Sequence, residues 1–300
     1  MALPGVPSTP EAGRCVEPTV RVGWRTAAAA PFNERAKMNR LLTIVMLFLM
    51  TSLSCGADRP RTRFTKQVDV FGLRVFATDT TGDDKLLHAA NILAEYIDND
   101  EDGVPDNPKI MKALINGKGA IVMRKTERER IAGPRPQGQG LYAEEAIPNA
   151  NVQNRFDASL EEVLHMVTDV GWAGAYPEVF GREPGTKISN ALDNARGGRF
   201  METPAEYPDD AWFTYDDETC DYDCMNSEYI YWVLTSILGG QDFPGRYEQI
   251  KNEWRLNTRA KVKEGDPIAY ALLTDRKYRL PTVLPDGKYR ARVFSIQKYP

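Results

Sequence analysis

The sequence has few histidines, few cysteines and no excess of positive charge. Two histidines in 300 residues exclude a site built mainly from imidazoles. The net charge of −4 argues against nucleic acid as a partner, because phosphate binding needs clustered positive charge. A G-x-S-x-G motif is also missing, which excludes the nucleophile elbow of a serine hydrolase. With 42% hydrophobic and 27% charged residues, the composition is that of a globular chain.

The apolar run near the start of the chain is too short to cross a membrane. Residues 41–53 are thirteen residues long, whereas a spanning helix needs ~20. Basic residues precede the run and small residues follow it, as in a secretory signal peptide that begins at Met38. We predict that residues 1–57 are an upstream extension and signal peptide that are removed. Residues 58–300 would then be secreted or periplasmic, with no transmembrane span.

Cysteine positions refine this prediction. Soluble export is favoured over a lipid anchor at Cys55, because Ser52 stands where lipoprotein signals usually carry leucine. The exported chain keeps Cys220 and Cys224, and in an oxidising compartment such a pair predicts a small disulfide loop. The alternative, half of a zinc site, lacks the second pair of ligands that such sites have.

Hydrophobic periodicity predicts an α+β fold that is helix-rich, with a small sheet and long loops. We expect one domain over residues 58–300, and a division into sub-domains 58–150 and 151–300 stays open. The predicted strands are a pair or one bulged strand within 64–78, then 119–124 and 141–147. The predicted helices are 83–97, a short one after Asn107-Pro108, 158–170, 227–238, 244–256 and 267–274. Residues 171–224 are predicted to be irregular.

An acidic loop at residues 98–106 has the ligand spacing of a calcium site. Carboxylates occupy positions 1, 3, 5 and 9, and Gly103 at position 6 permits the sharp turn. The predicted ligands are Asp98, Asp100, Asp102, Val104 and Asp106. The alternative is an acidic turn that is simply solvated.

This loop resembles the calcium loops of EF-hand proteins, and more closely those of dockerins and thrombospondin type 3 repeats. It departs from the EF-hand at position 12, where Lys109 replaces the bidentate glutamate. The resemblance therefore implies weak Ca²⁺ binding, or a further ligand from elsewhere in the fold. Because extracellular Ca²⁺ is abundant, a weak site would suffice to brace the fold.

The helix predicted over 158–170 has one apolar stripe and one polar arc. The polar arc carries Glu161, Glu162, His165 and Asp169. Because Glu161 and His165 are four residues apart, their side chains can reach one ion from the same helix face. The alternative is a polar arc that faces water.

The segment Glu161-Glu162-Val163-Leu164-His165 resembles the H-E-x-x-H helix of zincin metalloproteases. The resemblance implies that His165 is a zinc ligand and that Glu162 is the general base. Glu161 stands where the family has its first histidine. A carboxylate can bind zinc, but its charge weakens the pull of the metal on the proton of water.

A third ligand is expected on the apolar helix 227–238. Glu228 is the one charge in this otherwise apolar element, and as a metal ligand it would face His165. Its alternative role is a first-turn carboxylate stabilised by the helix dipole. Asp169 is a rival ligand. His88, the other histidine, is expected to lie on a helix surface or in the core.

Two functions follow from these patterns. The first is an exported, calcium-braced protein with a Zn²⁺-type site that hydrolyses peptide or amide bonds in a peptide or protein substrate. The second is a non-catalytic calcium-binding module, or a pseudo-enzyme without its metal, that uses the acidic and aromatic residues of 206–223 for recognition. If the side chains of His165 and Glu228 point to the same place, the hydrolase is favoured over the non-catalytic module.

Overall fold

The computed structural model describes residues 61–299, without the side chains of residues 151 and 152. The predicted extension and signal peptide, including Cys55, lie outside the described residues. Within the described part, no helix is long and apolar enough to cross a membrane.

Over residues 61–299 the strands form one mixed five-stranded sheet, ordered β4-β3-β2-β1-β5. The strands are β1 (Phe64–Val70), β2 (Leu73–Thr78), β3 (Ala120–Arg124), β4 (Gln139–Tyr142) and β5 (Gln297–Lys298). β1 pairs antiparallel with β2 and β5, whereas β2–β3 and β3–β4 are parallel. The predicted strand pair is a tight hairpin, whose turn residues Phe71 and Gly72 both have positive φ. β4 begins two residues earlier than predicted.

The remaining regular elements are helical, so the helix-rich α+β prediction is confirmed. The helices are α1 (Asp83–Ile97), α2 (Pro108–Asn116), α3 (Ser159–Met166), α4 (Ala173–Ala175), α5 (Pro177–Phe180), α6 (Lys187–Ala195), α7 (Tyr222–Leu238), α8 (Arg246–Ile250), α9 (Arg259–Gly265) and α10 (Pro267–Leu273). α1 has the predicted bounds. Asn107 caps α2 by accepting hydrogen bonds from the backbone N–H groups of Lys109 and Ile110.

Several predicted boundaries are wrong. The stretch predicted as irregular contains α4, α5 and α6, and α6 is capped by Thr186. α7 begins five residues before the predicted start, because Asp221 caps it through the Cys224 N–H. The predicted helix 244–256 is reduced to the short α8, and α9 was not predicted.

α3 lies at the centre of the packing that positions the candidate site. It contacts the sheet at β3 and β4 and packs against α1 and α7. Val163 and Leu164 of its apolar stripe are fully buried, and so is Val167, which directly follows α3. α7 is buried on nearly every side, as its apolar sequence predicts. The polar arc of α3 therefore lies in the protein interior, where α3 packs against α7.

Candidate metal centre

The polar arc of α3 does not face water. Glu161 is 3% exposed and His165 is 6% exposed, and Glu162 is half-buried. The water-facing alternative is therefore wrong for the two predicted ligands. Ionisable groups are rarely buried without a partner, because removing them from water is costly.

α7 brings Glu228 to the same point. The His165 Nε2 atom lies 3.4 Å from Glu228 Oε1 and 3.9 Å from Glu161 Oε1. One ligand atom from each of these residues lies within 4.8 Å of the other two, a spacing that suits a single ion. We call these three residues the metal-site cluster. Three of the predicted zinc-type ligands thus converge, and they come from two different helices.

The metal-site cluster is short of hydrogen-bond partners. Among the described residues, neither ring nitrogen of His165 has a hydrogen-bond partner, and neither does Glu228 Oε2. Each unsatisfied buried polar group costs about 1–3 kcal/mol, and more when it is charged. A divalent cation would satisfy the carboxylate oxygens and one imidazole nitrogen at once. The donor set therefore fits a metal ion.

Burial and mutual repulsion shift the acid–base properties of the cluster. Burial raises the pKa of Glu161, and the nearby Glu228 carboxylate adds to this rise. Burial alone would lower the pKa of His165, but the Glu228 and Glu161 carboxylates outweigh it and hold this pKa well above its usual range. Excess negative charge is thus concentrated around one imidazole.

Glu162, the predicted base, lies beside the cluster and is held by the edge strand. Gln139 Nε2, at the start of β4, donates a hydrogen bond of 2.7 Å to Glu162 Oε2. Burial raises the pKa of Glu162 to about 8, and the adjacent Glu161 carboxylate contributes. Sequence reasoning missed Gln139, because it lies in a Pro/Gly-rich segment with no local sign of a role.

Asp169, the rival ligand, is engaged elsewhere. It accepts hydrogen bonds from Ser227 Oγ and forms an ion pair of 3.1 Å with Arg182. Asp169 follows α3 in a π-helical turn, Val167–Trp172, so the predicted helix 158–170 does not continue as a regular α-helix. Such turns occur frequently at functional sites. Asp169 and Ser227 tie this turn to α7 next to Glu228.

Aromatic rings enclose the cluster. The ring centroid of Tyr231 lies 5.7 Å from that of His165, and the hydroxyl of Tyr231 accepts a hydrogen bond from Gln241. Burial, and then the Glu228 carboxylate, raise the pKa of Tyr215. Because the cluster is buried beside aromatic rings, electrostatic interactions inside the site are stronger than they would be in water. The sequence predicted Tyr231 only as part of a buried helix, and Tyr215 only as one of the aromatic residues of 206–223.

The acidic loop forms a second candidate cation site. Carboxylate oxygens of Asp98, Asp100 and Asp106 come within 4.8 Å of one another, and Asp98 is fully buried. Asp98 accepts hydrogen bonds from the Gly103 N–H and the Tyr289 hydroxyl. The side chain of the fourth predicted carboxylate, Asp102, accepts one from the N–H of Val104, the fifth predicted ligand. Only three of the four carboxylates therefore converge.

The structure also places the predicted cysteine pair, His88 and the aromatic residues of 206–223. Cys220 and Cys224 form a disulfide with their Cα atoms 5.3 Å apart, so the predicted pair is confirmed. His88 is buried and lies 2.6 Å from Asp157, as expected for a core residue. In the segment 206–223, Phe213 and Tyr215 are buried in the core, so they are not displayed on a recognition surface.

No family model matches the chain, and no curated protein and no solved structure matches it.

Proposed function

We propose that the protein is an exported, calcium-braced hydrolase with a zinc-type ion held by Glu161, His165 and Glu228. The observation that carries this proposal is the buried metal-site cluster, whose imidazole lacks hydrogen-bond partners among the described residues. One imidazole and two carboxylates form an acceptable donor set for Zn²⁺. The Cys220–Cys224 disulfide is typical of an oxidising compartment and supports export.

The donor set also limits the chemistry. An ion held there would supply Lewis-acid polarisation of a carbonyl group and would lower the pKa of water. Two carboxylates offset the charge of a divalent ion, so this effect is weaker than with two histidines. The resemblance to the zincin helix supports hydrolysis of a peptide or amide bond, and Glu161 is the departure from that family.

Glu162 would act as the general base. It adjoins Glu161 and lies close enough to the cluster for Glu161 to raise its pKa. Gln139 fixes one carboxylate oxygen of Glu162 through its 2.7 Å hydrogen bond. In the ionised form of Glu162, which a divalent ion at the cluster would favour, the other oxygen could accept a proton from water. Gln139 is therefore a positioning residue, and Glu162 is the catalytic residue of this proposal.

The substitution Glu162→Gln tests this role. It keeps the shape of the side chain but removes the base, so we expect hydrolysis of quenched fluorescent peptides to fall by about 100-fold or more. Because Glu162 is not a ligand, zinc content should not change. The exposed Glu127→Gln is the matched control and should keep full activity. Wild-type rates in Glu162→Gln would contradict the assignment.

The second candidate function is a non-catalytic calcium-binding module or a pseudo-enzyme that has lost its metal. The convergence of Asp98, Asp100 and Asp106 favours calcium binding under either function. The two functions differ at the metal-site cluster, because only the hydrolase needs an ion there.

A further inference from the structure

Arg246 is held in a fixed position near the metal-site cluster. It is the first residue of α8, and its Cζ lies 4.6 Å from the Phe156 ring centroid and 5.6 Å from that of Trp232. Arg246 Nε donates a hydrogen bond of 2.7 Å to Gln241 Oε1. Gln241 is fully buried, and its Nε2 donates to the Tyr231 hydroxyl. A buried amide thus connects Arg246 to the ring that packs on His165.

The charge of Arg246 is not neutralised by a direct ion pair. Within residues 61–299, no carboxylate oxygen lies within 4.0 Å of its guanidinium nitrogens, and its neighbours are neutral amides and aromatic rings. The contacts from Arg246 through Gln241 to Tyr231, whose ring centroid lies 5.7 Å from that of His165, place this charge near the cluster. A positioned guanidinium that has no counter-ion among the described residues is suited to bidentate binding of a carboxylate.

A second polar group lies on Trp232, whose ring centroid is 5.6 Å from Arg246 Cζ. It follows Glu228 by one helical turn, so both lie on one face of α7. Trp232 is only 1% exposed, yet its Nε1–H has no acceptor in the described part of the chain. Two other buried tryptophans are satisfied: Trp254 Nε1 donates to Ser236 Oγ and Trp172 Nε1 donates to the Tyr278 carbonyl. An orphaned buried donor indicates an acceptor that the protein itself does not provide.

We propose that the Arg246 guanidinium and the Trp232 indole N–H form a subsite that binds a carboxylate group of the substrate. This inference rests on the proposed function, since the subsite adjoins the metal-site cluster. The substrate would be a peptide or amide that carries a carboxylate near the scissile bond. The carboxylate comes either from a free C-terminus or from an Asp or Glu side chain, and the chemistry of recognition is the same.

The cluster itself explains why a dedicated cation is needed. One divalent ion would be balanced by the Glu161 and Glu228 carboxylates, so the loaded cluster would have no excess positive charge with which to hold an incoming carboxylate. Arg246 would supply that charge on one side of the site, and the Phe156 and Trp232 rings keep the guanidinium from turning away. A carboxylate-bearing substrate is thereby held in one orientation relative to the cluster.

Calorimetric titration of the zinc-loaded protein with three probes tests the proposal. The probes are N-acetyl-alanyl-alanine, its C-terminal amide, and N-acetyl-glutamate α-amide, which has only a side-chain carboxylate. We expect at least one carboxylate probe to bind about tenfold or more tightly than the neutral amide, as a charge-assisted hydrogen bond implies. The preferred carboxylate probe identifies the source of the group.

Variants of Arg246 and Trp232 show which side chains cause the preference for a carboxylate probe over the neutral amide. Arg246→Gln should abolish it, and Trp232→Phe, which keeps a ring but removes the N–H donor, should reduce it by about threefold or more. Arg259→Gln is the matched control, since Arg259 also stacks on a ring, that of Tyr270, but has no part in the subsite. Thermal unfolding of each variant establishes that it is folded.

The outcomes separate this inference from the proposed function. Equal binding of all three probes, or a preference that survives in Arg246→Gln, would overturn the subsite. Zinc content, measured on the same samples, reports on the metal-site cluster independently. Stoichiometric zinc without a carboxylate preference would refute the subsite alone, whereas a preference that depends on Arg246 without stoichiometric zinc would support the subsite and refute the metal proposal.

Discussion

At the scale of single residues, the candidate centre depends on polar groups that the protein buries without satisfying. His165 and Glu228 are each 6% exposed. Their atoms His165 Nδ1 and Glu228 Oε2 have no hydrogen-bond partner in the described part of the chain, and they would be costly if nothing bound them. The sequence predicted Glu161, His165 and Glu228 from helical spacing and from one charge in an apolar helix. It did not predict Gln139 or Arg246, because both reach the site from segments distant in sequence and without a local pattern.

Glu95 offers a test of burial that is independent of the metal. It is 3% exposed and accepts hydrogen bonds from the N–H groups of Gly287 and Lys288. Burial raises its pKa from 4.5 to about 7. Between these values the folded state holds a proton that the unfolded state has released, so stability is lost as pH rises through this window.

We expect this carboxyl to lower the free energy of unfolding by up to about 3 kcal/mol between pH 4.5 and 7.5. Glu95→Gln, which cannot ionise, should lack this decrease, and urea unfolding at several pH values measures the difference. The exposed Glu144→Gln should keep the pH dependence of the wild type. An identical pH dependence in Glu95→Gln would refute the assigned burial effect.

At the scale of elements, the site is made by the packing of α3 against α7. A helical wheel separates the polar arc of α3 from its apolar stripe, but it does not reveal which arc is buried. The polar arc is buried because α7, the helix that contains Glu228, packs against it.

α1 and the Asn107 cap were predictable from local patterns. α6 was also within reach, since Ile188, Ala191, Leu192 and Ala195 have helical spacing. No local pattern predicted the π-helical turn, in which Asp169 contacts Ser227 of α7 and Arg182.

A disulfide ties the first turn of α7 to the segment before it, and the loss of this disulfide has a measurable cost. Cys220 precedes the helix and Cys224 lies in its first turn. The Cys220→Ser/Cys224→Ser variant should lose about 2 kcal/mol of unfolding free energy, because the short closed loop no longer restricts the unfolded chain. A thiol reductant should lower the midpoint of urea unfolding of the wild type but not of the variant. An unchanged wild-type midpoint would contradict this expectation.

At the scale of the molecule, the acidic loop joins the end of α1 to the C-terminal segment. Asn99 Oδ1 accepts hydrogen bonds from the N–H groups of Thr282 and Val283, and Asp98 accepts one from the Tyr289 hydroxyl. The segment then continues to β5, which pairs with β1. A cation in this loop would therefore stabilise contacts between distant parts of the sequence.

We expect Ca²⁺ to raise the midpoint of thermal unfolding, with a stabilisation of about 2.7 kcal/mol when free Ca²⁺ is 100 times its dissociation constant. Asp98→Asn should remove most of this effect, because Asp98 is the buried member of the predicted ligand set. Asp84→Asn, an exposed acid on α1, should respond to Ca²⁺ like the wild type. If the wild type unfolded at the same temperature in Ca²⁺ and in EDTA, the predicted stabilisation of the fold by Ca²⁺ would be refuted.

The most direct test of the central proposal is the metal content of the purified protein after dialysis, measured by elemental analysis. We expect one zinc-type ion per chain in the wild type and none in His165→Ala. His88→Ala, which removes the other buried histidine, should keep the ion, since His88 is occupied by Asp157. Zinc content that is absent from the wild type, or unchanged in His165→Ala, would contradict a metal centre at Glu161, His165 and Glu228.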